Sequence, residues 1–370
     1  MTEIAFTGDI AFSKYFKDAW SNSELIDSEL IDFLSSADYT VPNVEGALTI
    51  GNMKRGDSST PAHASDPRAI SWLLKMNGNI WNLSNNHTLD CGESGLEDTI
   101  NLAKEYNCRI LGAGKNIDEA AKPVIIESSG GIGLLSVCYK QLFEADIDKP
   151  GIVFWDDFSR IEKQIREVKK SNRWCVLIVH GGEEFSNLPL PTVRKKYLRY
   201  LKYGADIVVG HHPHVPQNYE KVGNKMIYYS LGNLVFDTDY QRLQRHTDEG
   251  VLLKLKFTDE KFEHSCMGYH INRDKQCIEK ADCPTVFQNI TAKEYNRLIP
   301  LAMKCFLDEY KVAKIFLRPY MKDYSKIQWA KWYWENKGFG VWVSLMICRV
   351  RYIFKGWKKS NPELIHYISK

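Results

Sequence analysis

Ile207-Val208-Val209 runs directly into Gly210-His211-His212-Pro213-His214, and the architecture follows from how this join is understood. A short β-branched run closed by glycine is the pattern of a buried strand. Here it ends in three of the chain's ten histidines, on a loop stiffened by proline. Imidazoles at His212 and His214, two residues apart, can converge on one metal ion or on two adjacent ions. Gln217 finishes the loop.

The same pattern recurs along the chain. Residues 4–7 lead into Gly8-Asp9, 39–41 into Asn43-Val44-Glu45-Gly46, and 80–83 into Ser84-Asn85-Asn86-His87. Residues 175–179 lead into His180-Gly181-Gly182-Glu183-Glu184, and 227–229 into Ser230-Leu231-Gly232-Asn233. Between them, residues 23–35, 67–76, 95–106, 158–170 and 192–203 place apolar side chains at helical spacing. Strands alternating with helices predict an α/β fold with helices flanking a sheet. Residues 252–257 and 262–269 read as added strands, and 58–65 as a loop. In open α/β sheets ligands bind beyond the carboxyl ends of the strands. Strand ends loaded with metal-type side chains therefore predict one shared site.

Each cluster has a chemical reading beside a plain one. Asp9 can hold a hard divalent ion, or simply form a turn with Gly8. Asn43 and Glu45 point to one side if the chain stays extended, and Glu45 can then bridge two ions; a surface turn explains them equally well. Asn86 offers a neutral oxygen ligand and His87 suits general-acid work near neutral pH. The alternative is a helix start at Asp90 with an incidental histidine. In the pair after Gly182, Glu184 can orient a histidine from behind, and Glu183 reads as a solvated turn residue. Asn233 can position a substrate or a neighbouring ligand.

Composition sets the frame. The 370 residues carry a net charge of +3, 44% apolar and 26% charged residues, an ordinary globular mix. Nine cysteines without a CxxC pair point to a reducing compartment rather than a disulfide framework. The opening MTEIAFTGDI lacks the features of a secretory signal, and no apolar run is long enough to span a membrane, so a cytoplasmic protein or one peripheral to the inner membrane face is expected. Charge is uneven: residues 321–370 hold ten Lys/Arg against three Asp/Glu and five of the ten tryptophans. Residues 291–306 read as an amphipathic helix capped by Thr291 and Glu294, and 341–354 as apolar nearly all round. The expected domains are 1–284 and a helical, basic, Trp-rich region 285–370. That region either packs its aromatics on the body or lies against an anionic membrane or polymer. Nucleic acid is not an expected partner, because the body is acidic and no base-reading motif adjoins the basic residues.

Taken in order, FTGDI, NVEG, NNHTLDCGESGL, HGGEEF, GHHPHVPQ and YSLGNLVFD resemble the bacterial poly-γ-glutamate capsule synthesis family, the CapA-like proteins. That family looks like a branch of the dinuclear metallophosphoesterases, the calcineurin-like superfamily. The resemblance implies a four-layer α/β/β/α sandwich, to which the helical pattern after residue 285 adds a C-terminal appendage. It implies Asp9, Glu45, Asn86, His180, His212 and His214 as metal ligands and His87 as general acid. His211 and Glu184 join His87 as candidate catalytic residues, and Asn43 and Asn233 are the candidates for contacting substrate. The superfamily's Asp-x-His is absent, since Ile10-Ala11 follow Asp9, which leaves one metal position weak or vacant. Divalent ions, two of Mn, Fe or Zn, suit such mixed ligation. The implied activity is hydrolysis of a phosphoester or amide-type bond in capsule or cell-envelope polymer metabolism. The alternative is a non-catalytic metal-binding accessory for polymer synthesis or export. The implied partners are an anionic polymer or its precursor and envelope-polymer synthesis proteins; the basic, aromatic tail adds a peripheral membrane contact through 321–370 as an expectation.

Overall fold

The computed structural model describes residues 1–51, 62–300, 302 and 303. Two sheets face each other. The first runs Cys277–Ala281, Phe262–Asn272, Glu249–Phe257, Thr2–Ile10, Tyr39–Val44, Ile80–Asn82, Arg109–Leu111, with Asn233–Val235 paired to the end of Thr2–Ile10. The second runs Tyr219–Val222, Lys225–Tyr228, Ile207–His211, Trp174–His180, Ile132–Cys138, Val124–Ile126. The central strands of each sheet are parallel.

Strand alternation shows why the sheets stack. Ile4 and Phe6 join Trp174, Val176, Ile178, Ile207 and Val209 in one core between the sheets. Their neighbours Ala5, Cys175, Leu177, Val179 and Val208 belong to the core facing the helices. Helices Ser28–Ser35 and Gly92–Glu105 pack on the first sheet and Phe158–Ser171 and Pro191–Tyr203 on the second, giving a four-layer α/β/β/α sandwich. Helical spacing puts Ile161, Ile165 and Val168 of one outer helix, and Val193, Tyr197 and Tyr200 of the next, into the outer core.

Several local expectations need correction. The first helix begins only at Ser28, because the Asp27 side chain accepts the Glu29 N–H at 2.9 Å and caps it there. Residues 64 and 65 are not loop: Ala64–Ser65 pairs with Ala47–Leu48. Gly8 makes no turn, since the first strand runs through it; a Cβ there would sit 2.4 Å from the Gly232 carbonyl oxygen. Ile132–Cys138, between Trp174–His180 and the edge strand Val124–Ile126 of the second sheet, escaped the sequence reading because no metal-type cluster follows it. At the other end of the described chain, Thr291 and Glu294 form the expected reciprocal cap of a helix at 292–300. Tyr295 and Leu298 of that helix pack on Leu188. Residues 321–370, including the apolar segment 341–354, lie outside the described residues. No described helix is long and apolar enough to cross a membrane.

Candidate functional site

Register builds the site. Across the first sheet Asn233, Asp9, Asn43 and Asn82 lie side by side on neighbouring strands. Across the second, Cys138, His180 and His211 do the same. The two rows meet at the carboxyl ends of the parallel strands, where the loops after them add Glu45, Asn86, His87, Glu184, His212 and His214. All of these are buried except Glu184, which is partly exposed.

Asp9 is the hub of one half. It lies 3.2 Å from His211 Nδ1 and 3.3 Å from His214 Nδ1, and it accepts the Asn43 amide at 2.8 Å and the His212 N–H at 3.3 Å. Burial works against its charge, but the hydrogen bonds and charges of His211 and His214 outweigh it and hold the carboxyl well below the usual range. His214 Nδ1–H donates to Asn233 Oδ1 at 2.9 Å, which leaves Nε2 to bind a ligand. Burial disfavours its imidazolium, yet Glu45 and Asp9 carry its pKa up to about 9.

Glu45 is the hub of the other half. Both carboxylate oxygens are buried, and neither has a hydrogen-bond partner. Its nearest basic neighbours are His87 Nε2 and His180 Nε2, each at 3.7 Å. Burial first, and then the charge of Asp9, push Glu45 well above the ordinary carboxylate range. His180 is driven the opposite way, well below the usual imidazole range, by burial and by the neighbouring His212. Its Nε2 lies 2.7 Å from Asn86 Oδ1 and its Nδ1 accepts from Asn43 at 3.3 Å.

Three overlapping groups of donors among the described residues could hold a divalent ion: Glu45, His180 and His212; Asp9, Glu45 and His214; Glu184, His212 and His214. Glu45 belongs to the first two, as a bridging carboxylate would. A buried carboxylate with no hydrogen-bond donor costs several kcal/mol on the order of magnitude, which a cation would offset. The donors therefore fit a metal, and the Asp9 group retains three donors despite the missing Asp-x-His.

His87 is held from behind: its Nδ1 is 2.6 Å from Asp90 Oδ2, and its backbone N–H donates to Asn85 Oδ1 at 3.0 Å. His212 and His214 both sit at positive φ, +95° and +58°, a strained backbone that typically costs about 1–3 kcal/mol per residue.

Several placements differ from the sequence reading. Asn43 directs its amide at Asp9 and His180, while Asn233 accepts from the His214 ring, the positioning of a neighbouring ligand that is one of its two expected roles. Glu184 Oε1 is 3.7 Å from His212 Nε2, too long for a hydrogen bond but within a donor group. Glu183 is no solvated turn residue: it is buried, accepts the Leu190 N–H at 3.1 Å, and burial lifts it to about 7. His63 was missed. Its ring sits edge-on to His87 at 4.3 Å and close to Phe236, with Nδ1 2.9 Å from Ser13 Oγ. It follows no apolar run, so the pattern that found the others could not reach it.

Residues 3–238 match the bacterial capsule synthesis protein family PGA_cap. The chain belongs to that family. It is 30% identical over 245 residues to the PGA biosynthesis protein CapA of Bacillus subtilis, covering 64% of each chain. It is 28% identical over 252 residues to the capsule biosynthesis protein CapA of Bacillus anthracis, covering 65% of this chain and 61% of that one. The chain thus spans less than two thirds of the length of these CapA relatives. Among solved structures, TT1561 of Thermus thermophilus aligns with a TM-score of 0.40 at 10% identity, covering 76% of this chain and 98% of that one.

Proposed function

We propose that this PGA_cap protein is a metal-dependent hydrolase that cleaves a phosphoester or amide-type bond in capsule or envelope-polymer metabolism. The observation that carries the reading is Glu45, a buried carboxylate without a hydrogen-bond donor, shared by two donor groups. Glu45, Asn86, His180 and His212 would hold one divalent ion, and Asp9, Glu45 and His214 a second. Mn²⁺, Fe or Zn²⁺ suit such imidazole, carboxylate and amide-oxygen donors better than Mg²⁺. Two such ions would supply Lewis-acid polarisation and acidify a water towards neutral pH.

The protein's own part is orientation and proton delivery. Asn43 and His211 fix Asp9, and Asn233 fixes the His214 ring. His87, with Nδ1 tied to Asp90 and Nε2 facing Glu45, is placed to hand a proton from Nε2 to the leaving atom. Glu184 would add a carboxylate oxygen beside His212 and His214. An anionic polymer or its precursor is the substrate class that the CapA relatives' part in capsule synthesis favours.

The test is turnover of phosphomonoesters, phosphodiesters and γ-glutamyl amides with added Mn²⁺, comparing the parent with the His212→Ala/His214→Ala variant. Hydrolysis in the parent that falls by at least about a hundredfold in the variant supports catalysis. Metal bound by the parent without turnover of any panel member favours instead an accessory that binds metal and holds polymer or partners.

A further inference from the structure

A pair of thiols stands apart from the donor cluster. Cys266 lies on the Phe262–Asn272 strand, and Cys283 follows the end of the Cys277–Ala281 strand by two residues. The ladder between the two strands ends with Gly268 opposite Ala281, and the chain then passes close over Gly268, where a Cβ would sit 2.5 Å from the Cys283 nitrogen. The Cys283 thiol donates to Cys266 Sγ, with the sulfurs 3.3 Å apart. Cys266 is exposed and Cys283 half-buried, whereas Cys91, Cys108, Cys138 and Cys175 are buried. The hydrogen bond from Cys283 brings the Cys266 thiol down to about 7 against the effect of burial, and the same contact pushes Cys283 up. Cys266 is the more exposed of the two and so the first to meet an oxidant, with a second thiol within reach to resolve whatever it attacks.

The position gives the pair a structural consequence. Beyond Cys283 the chain carries Phe287, whose ring packs on Tyr219 and Tyr228 of the second sheet. Residues 288 and 290 exchange backbone hydrogen bonds with Tyr219 at 3.1 and 2.9 Å. This segment is the route by which the chain leaves the first sheet for residues 292–300.

We propose that Cys266 and Cys283 form a reversible disulfide that staples this exit to the edge of the first sheet. The Cys266 thiolate attacks a small-molecule disulfide, forming a mixed disulfide and expelling one small thiol. Cys283 gives up its proton and displaces the second small thiol. Two protein thiols become one protein disulfide, and the oxidant is reduced to two thiols.

The full-length reduced protein is equilibrated in buffers of graded glutathione to glutathione-disulfide ratio, alkylated, digested without reduction and analysed by mass spectrometry. The expected result is a peptide joining Cys266 to Cys283, lost again under reducing ratios, while the four buried cysteines stay alkylatable after denaturation. In Cys283→Ser, Cys266 is expected to stop at the mixed disulfide with glutathione. Alkylation of both thiols at the most oxidising ratio, or Cys266 linked to Cys305 or Cys348, would overturn the assignment.

Discussion

The two ends of the sandwich follow opposite rules. At the amino ends of the parallel strands, Trp174 packs on Phe257 and Phe262, and its indole N–H donates to the Thr258 carbonyl at 2.8 Å. Ser129 donates to the Phe257 carbonyl at 3.1 Å. Charged groups there find partners: Lys169 Nζ lies 2.8 Å from Asp206 Oδ2, and Arg173 Nε donates to the Asp259 carbonyl at 3.1 Å. At the carboxyl ends, Asp9 and Glu45 are buried among histidines, Glu45 has no donor, and two histidines occupy strained backbone. One end is built for stability; the other carries strained backbone and a buried carboxyl without a donor.

Substitutions at the two ends should therefore differ in sign. Trp174→Ala is expected to destabilise the metal-free protein by about 3–5 kcal/mol in denaturant unfolding, through lost packing and cavity formation. Metal stoichiometry of the remaining folded protein should not change. Glu45→Gln is expected to stabilise the metal-free protein at pH 7 by about 1 kcal/mol or more, because folding then no longer has to hold a proton on a carboxyl that the unfolded chain leaves ionised. Equal destabilisation by both substitutions would erase the distinction between the ends.

A third expectation sharpens the same contrast through pH. Glu183 has a folded-state pKa of about 7, above the value of about 4.3 for an exposed glutamate. Between these values the folded protein holds a proton that the unfolded chain has released. Its contribution to stability is thus full below about pH 4.3 and is lost as pH rises through about 7, with a slope of at most about 1.4 kcal/mol per pH unit. Glu183→Gln should flatten the fall of metal-free stability across this window, measured by urea unfolding at fixed temperature. An unchanged slope would show that Glu183 is not buried in its acid form.

How much of this was legible in the sequence follows from one pattern. An apolar strand run that ends in ligand-type residues announces both the strand and the site, which is why Asp9, Glu45, Asn86, His180, His212 and His214 could be read together. Elements outside that pattern were not legible. Ile132–Cys138 ends in Cys138 and Tyr139, which carry no ligand signature. His63 reaches His87 through a two-residue pairing with Ala47–Leu48 that no local periodicity encodes. Glu183 and Glu184 look alike as a sequence pair, yet one anchors the Leu190 N–H and the other faces His212. The orienting role of Asn43 depends on cross-strand register, which single strands do not declare.

The most direct test of the central claim is Mn²⁺ titration by calorimetry at pH 7, comparing the parent chain with Glu45→Gln. Binding of about two equivalents in the parent, weakened by at least about tenfold in the variant, is the predicted result. No binding in the parent, or equal affinity in both, would contradict a metal centre built around Glu45.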